Sequence, residues 1–112
     1  VHILAGTDNA PYSFPGSDLH DELQLLVDNG ATPLDALRSA TIEAAVVMRK
    51  QRDYGAVAQG RIADIVFLDG NPLDDIGNVR RISAVVFNGR LYERRELDRM
   101  IEGAAKAAQA VR

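Results

Sequence analysis

The chain contains no cysteine. Disulfides, thiolate nucleophiles, Cys-ligated zinc and iron–sulfur clusters are therefore excluded, and only His, carboxylate or backbone atoms remain to ligate a metal. Histidine is scarce as well, with two copies, His2 and His20. No apolar run approaches the roughly 18 residues that suggest a membrane helix, and no basic-then-apolar leader opens the chain, so neither a span nor a signal peptide is expected. The compartment stays open, with the cytoplasm favoured. Aromatic residues make up 5% of the chain. No aromatic set accompanies the pairs Arg80-Arg81 and Arg94-Arg95, which are interleaved with acids, so no nucleic-acid partner is expected.

What is present is an ordinary globular balance of 46% apolar and 26% charged residues, with a net charge of −3. The charge is mildly uneven: residues 1–56 hold eight acids and four bases, residues 57–112 eight acids and nine bases. At 112 residues the chain is too short for a complete enzyme barrel, which needs about 250. It also starts at Val1 within an apolar run, which suggests a fragment or processed product.

Val1-His2-Ile3-Leu4-Ala5-Gly6 has the composition of a strand buried on both faces, as in a parallel sheet, with Thr7-Asp8-Asn9 at its C-terminal end. Prolines, serines and a glycine make residues 10–17 a loop of real length. From Asp18, Leu19, Leu23, Leu26 and Val27 form one helix stripe, with Ser17 as N-cap and Gly30 as the stop. Thr32-Pro33-Leu34-Asp35 opens a second helix through a Thr cap, a Pro at the first helical position and an acid placed for a capping box. Residues 42–50 continue as a third short helix after a break near Thr41. Ile62–Leu68 and Ile82–Phe87 have strand character, and Asn88-Gly89 offers a type I′ turn into Arg90-Leu91-Tyr92. Leu97, Met100, Ile101, Ala104, Ala108 and Val111 mark a C-terminal helix. One buried strand followed by helices lacks neighbours on its edges, so the chain reads as incomplete on physical grounds.

Three residues could carry chemistry. A carboxylate at the C-terminal end of a barrel strand faces the region where such folds place their sites, so Asp8 is a candidate metal ligand and proton acceptor. The competing reading of Gly6-Thr7-Asp8 is a turn whose Asp caps the next segment. His20, in the first turn of the following helix, is either a substrate contact or a surface residue. His2, inside the expected strand, is read as facing neighbouring core or a barrel layer. These residues have no H-x-H or H-E-x-x-H spacing, so the chain supplies at most part of a metal site. There is no G-x-S-x-G, phosphate loop or dinucleotide fingerprint, and Ser39 and Ser83 lack a local His.

Taken in order, several segments resemble one family. Gly6-Thr7-Asp8, the stretch Pro15-Gly16-Ser17-Asp18-Leu19-His20-Asp21-Glu22-Leu23 and the stretch from Leu26 to Leu37 with Ala40-Thr41 resemble the end of an amidohydrolase-superfamily barrel, in its imidazolonepropionase-like and prolidase-like branch. Gly55-Ala56-Val57-Ala58-Gln59-Gly60-Arg61-Ile62-Ala63-Asp64-Ile65-Val66, Asp69–Ile76 and Val85–Arg90 are similar to the same family's later segments. The resemblance implies an α/β fold: residues 1–53 as strand eight and the last helices of a (β/α)8 barrel, 54–92 as the C-terminal share of an adjoining β-sandwich, and 93–112 as a C-terminal helix. It implies that Asp8 ligates the catalytic metal and takes a proton during hydrolysis of an amide-like bond; His20 lies in a matching segment that implies no role.

The family's H-x-H strand, bridging Lys or Glu and further His ligands have no counterpart here. The expected protein is thus the C-terminal part of a metal-dependent hydrolase of amide, cyclic amide or dipeptide-like bonds, inactive as an isolated chain. Its divalent metal, zinc first, belongs to the full enzyme and is not held stably by this chain alone. Its expected partners are the rest of the barrel, a small-molecule substrate and further copies of itself. The rival expectation is a non-catalytic, self-associating module of the same fold.

Overall fold

A computed structural model describes residues 2–8 and 16–111. Three short helices come first: α1 (Asp18–Asp28), α2 (Pro33–Ser39) and α3 (Ile42–Val47). Strands β1 (Ile65–Leu68), β2 (Ile82–Phe87) and β3 (Arg90–Glu93) follow, with a 3₁₀ turn at Ile76–Arg80 between the first two, and α4 (Arg94–Ala110) ends the chain.

Local chemistry explains most boundaries. Thr32 caps α2: its hydroxyl accepts the Asp35 N–H at 3.1 Å and donates to the Asp35 carboxylate at 2.7 Å, with Pro33 at the first helical position. Helix α1 ends in a Schellman motif, in which the Gly30 N–H donates to the Val27 carbonyl and the Ala31 N–H to that of Leu26, both at 3.0 Å. Helix α3 closes the same way through Arg49 and Lys50, but here the left-handed residue is Arg49, at φ 58°. The third helix accordingly stops at Val47 and not near residue 50 as expected. Ser17 precedes α1 in a helical conformation without a side-chain capping bond, unlike the N-cap expected of it.

The strands form one antiparallel sheet in the order β1-β2-β3. Asn88 and Gly89, at φ 51° and 77°, make the two-residue connection between β2 and β3 and bring Phe87 opposite Arg90. A bulge after Phe67 shifts the β1–β2 register, and the Ser83 hydroxyl there donates to the Phe67 carbonyl at 3.2 Å. Strand β1 is shorter than the expected 62–68, because the Ile62 N–H is taken by the Asp53 carbonyl at 2.9 Å, closing a loop instead of extending a ladder.

The core joins the two halves. Leu23, Ala36, Ile76 and Val79 are buried together, with Ala5, Leu26, Val27, Leu37 and Ala40 packed around them, so the 3₁₀ turn sits against α1. Helix α4 packs on β2 and β3. There Arg94 donates to the Ile82 carbonyl at 2.9 Å and pairs with Asp98, while Arg90 lies over Tyr92 and pairs with Glu96. No α4 residue is buried.

Two expectations need correction. Residues 2–6 of the expected Val1–Gly6 strand form no strand; Val1 lies outside the described residues. A strand needs a ladder for its amides, and here the Ala5 N–H reaches the Ser39 carbonyl and the Gly6 N–H a Glu22 carboxylate oxygen, both at 3.4 Å. His2, expected to face core, is an exposed side chain. Among the described residues no strand neighbours it on either side, the ring is largely exposed, and an acid on α3, Glu43, pairs with it.

Candidate functional site

Asp8 ends the N-terminal segment, exposed and in a left-handed conformation at φ 41°. An Asp tolerates this region better than most residues. The Gly6–Glu22 bond ties this end of the segment to α1. The loop expected over residues 10–17 falls largely outside the described residues.

His20 lies in the first turn of α1 and lines a cleft of about 970 Å³ between the helices and β1. Leu23, Leu37, Tyr54, Ile65 and Val79 line the same cleft, and Asp8 is not among its lining residues. Burial in this apolar setting pushes the His20 imidazole below its ordinary value; Arg80 pushes it further in the same direction, and Asp21 opposes both. Arg80 and Asp21 are themselves an ion pair, linking the 3₁₀ turn to α1. His20 is thus a half-buried, preferentially neutral imidazole, able to accept or donate one hydrogen bond toward a molecule in the cleft.

A second hollow, about 800 Å³, lies at the opposite end of the N-terminal segment, between Ile3, Leu26, Asn29 and Asp35. On its wall the Glu43 carboxylate meets the His2 Nδ1 at 2.6 Å and accepts from Arg38 at 2.9 Å. The hydrogen bond from Arg38, followed by that to His2, holds Glu43 below its usual carboxylate range. The sequence reading missed this network and the Asp21–Arg80 pair, since partners 41 and 59 residues apart carry no local signal.

Metal chemistry needs more than this chain shows. Among the described residues no three of His, Asp and Glu converge to hold a cation. A zinc centre uses about three or more protein ligands, so these residues do not make one by themselves. Asp8 can offer a single carboxylate.

Known proteins similar to this chain are several times longer than it. The chain is 36% identical over 98 residues to ochratoxinase of Aspergillus niger, an overlap that spans 83% of this chain and 20% of that protein. Among solved structures, a Xaa-Pro dipeptidase with bound methionine in its active site superposes with a TM-score of 0.68 at 32% identity, over 75% of this chain and 20% of the other. A prolidase-like protein from Bifidobacterium longum gives a TM-score of 0.76 at 28% identity, over 94% and 28% of the two chains. The chain therefore spans about a fifth of the length of the curated relative it matches. The Amidohydrolase family profile matches residues 1–92, and the chain belongs to that family.

Proposed function

We infer that this chain is the C-terminal part of a metal-dependent amidohydrolase that hydrolyses an amide, cyclic amide or dipeptide-like C–N bond. The observation that carries the reading is the family match over residues 1–92, joined to relatives that include a dipeptidase. Residues 1–53 are assigned to the end of the catalytic barrel, 54–92 to its share of a β-sandwich and 93–112 to a C-terminal helix. The break between helices and sheet at 48–64, which holds no helix or strand, supports that division.

In the whole enzyme Asp8 is assigned as one ligand of a divalent metal, zinc first, and as the carboxylate that accepts a proton during hydrolysis. The metal, when bound, supplies an activated water and polarises the scissile carbonyl. The described residues do not hold it alone, so the isolated chain is inactive. His20 is assigned to substrate binding: a neutral ring in a largely apolar cleft presents one hydrogen-bonding edge.

The test is made on the whole protein purified from its source. Its metal content and its hydrolysis of dipeptides and N-acyl amino acids are measured, and Asp8→Asn is compared with the parent. Hydrolysis by a metal-loaded parent and a loss of about 10³-fold in Asp8→Asn support the reading. A metal-free, inactive parent overturns the enzyme assignment in favour of a self-associating module. An Asp8→Asn enzyme within about tenfold of its parent overturns the role of Asp8 alone.

A further inference from the structure

Four asparagines lie among the described residues, and the fold treats them unequally. Asn71 precedes Pro72, which has no N–H. Asn78 precedes the buried, branched Val79, and its side-chain amide donates to the Asn71 carbonyl at 2.9 Å. Asn29 precedes Gly30, but both reactive groups are held: the Asn29 Nδ2 donates to the Leu25 carbonyl at 2.8 Å and the Gly30 N–H to the Val27 carbonyl at 3.0 Å. Asn88 also precedes a glycine, at the tip of the β2–β3 hairpin, where both residues are exposed.

We propose that Asn88-Gly89 is a site of spontaneous deamidation and isoaspartate formation, and that the Schellman motif protects Asn29-Gly30 from the same chemistry. At the hairpin tip the Asn88 main-chain N–H donates to the Asp64 carboxylate at 3.5 Å. Among the described residues no hydrogen bond holds the Asn88 side-chain amide or the Gly89 N–H. The turn must open briefly for the Asn88 Cγ to reach the Gly89 nitrogen. Opening is cheap at an exposed tip flanked by exposed Phe87 and Arg90, whereas freeing Gly30 requires undoing the end of α1.

The reaction is self-contained in water. Solvent hydroxide removes the Gly89 N–H proton and the nitrogen attacks the Asn88 Cγ. An N–Cγ bond forms, the Cγ–Nδ2 bond breaks, and Nδ2 leaves as ammonia with a proton from water. Water then opens the succinimide at either carbonyl, giving aspartate or isoaspartate, and the chain gains one negative charge. Aspartate is tolerated in the left-handed turn. Isoaspartate adds a main-chain carbon to a two-residue connection and misaligns the Phe87–Arg90 register.

The full chain is aged in mildly alkaline buffer, natively and in concentrated urea, and the peptides holding Asn29 and Asn88 are quantified by mass spectrometry, with isoaspartate read by its methyltransferase. The expected result is conversion at Asn88 about tenfold or more faster than at Asn29 in the native chain, falling to within about threefold in urea. A smaller native ratio overturns the proposal. A tenfold ratio that persists in urea also overturns it, because the local sequence and not the fold would then set the rates.

Discussion

Gly55 passes so close to Ala45 on α3 that a Cβ built on the glycine would lie 2.9 Å from the Ala45 Cβ and 2.8 Å from the Ile42 Cα. Its φ of 90° is also one that side chains rarely adopt. The loop after α3 is thereby pressed onto the helix by a residue that has no tolerated replacement. Gly55→Ala should destabilise the chain by about 2–4 kcal/mol, since backbone strain and overpacking act together. Urea unfolding of the two proteins checks this, with an unchanged midpoint counting against the packing described.

The end of α3 suggests the opposite kind of change. Arg49 occupies the left-handed position at φ 58°, where glycine is usual, and its carbon skeleton gains nothing from that geometry. Arg49→Gly should stabilise the chain by about 0.5–1 kcal/mol through relief of that strain, less the added entropy of glycine when unfolded. A rise in the thermal midpoint would show it; a fall would mean that the Arg49 side chain contributes more than the backbone strain costs.

Two groups predict how stability responds to acid. His20 is held below its ordinary value of 6.5 in the fold, so its contribution is complete above that value and is lost as pH falls toward the lower folded one. Glu43, likewise depressed below 4.5, contributes fully above that value and loses its share as pH falls through its folded value. Stability should therefore decline in two stages on acidification. His20→Gln should flatten the first and Glu43→Gln the second, measured as urea midpoints across pH. Profiles that overlay the parent's would remove these residues as the cause.

Exposed apolar surface sets a further expectation. Phe67, Phe87 and Leu91 are each about half exposed or more on the sheet, and Met100 and Ile101 stand out from α4. Surface of this kind is normally covered in a folded protein. The chain by itself should form concentration-dependent oligomers in sedimentation experiments, a monodisperse monomer at high concentration being the contrary result.

Much of this molecule is written locally. Thr32-Pro33 with Asp35, the Gly30 stop, the break at Thr41 and the Asn88-Gly89 turn all appear where the sequence places them, because each depends on hydrogen bonds or dihedral preferences within a few residues. Strand β2 has its expected limits for a similar reason, being the central strand of a short meander.

Other features were decided only in three dimensions. Residues 2–6 have the apolar content of a buried strand, yet a ladder needs a partner, and their amides turn to Ser39 and Glu22. His2 is exposed beside Glu43, and Asp21 finds Arg80, through packing across 41 and 59 residues that no spacing rule encodes. His20 was legible as a candidate, but its lowered proton affinity comes from burial and from Arg80 on the 3₁₀ turn that packs against α1, and its cleft is shared with β1. The sequence by itself determined the Thr32 cap, the Gly30 and Asn88-Gly89 turns and the family, since those rest on short-range bonds and ordered motifs. The tertiary structure decided which polar groups meet and which apolar faces are covered, since desolvation and pairing depend on what folding brings alongside.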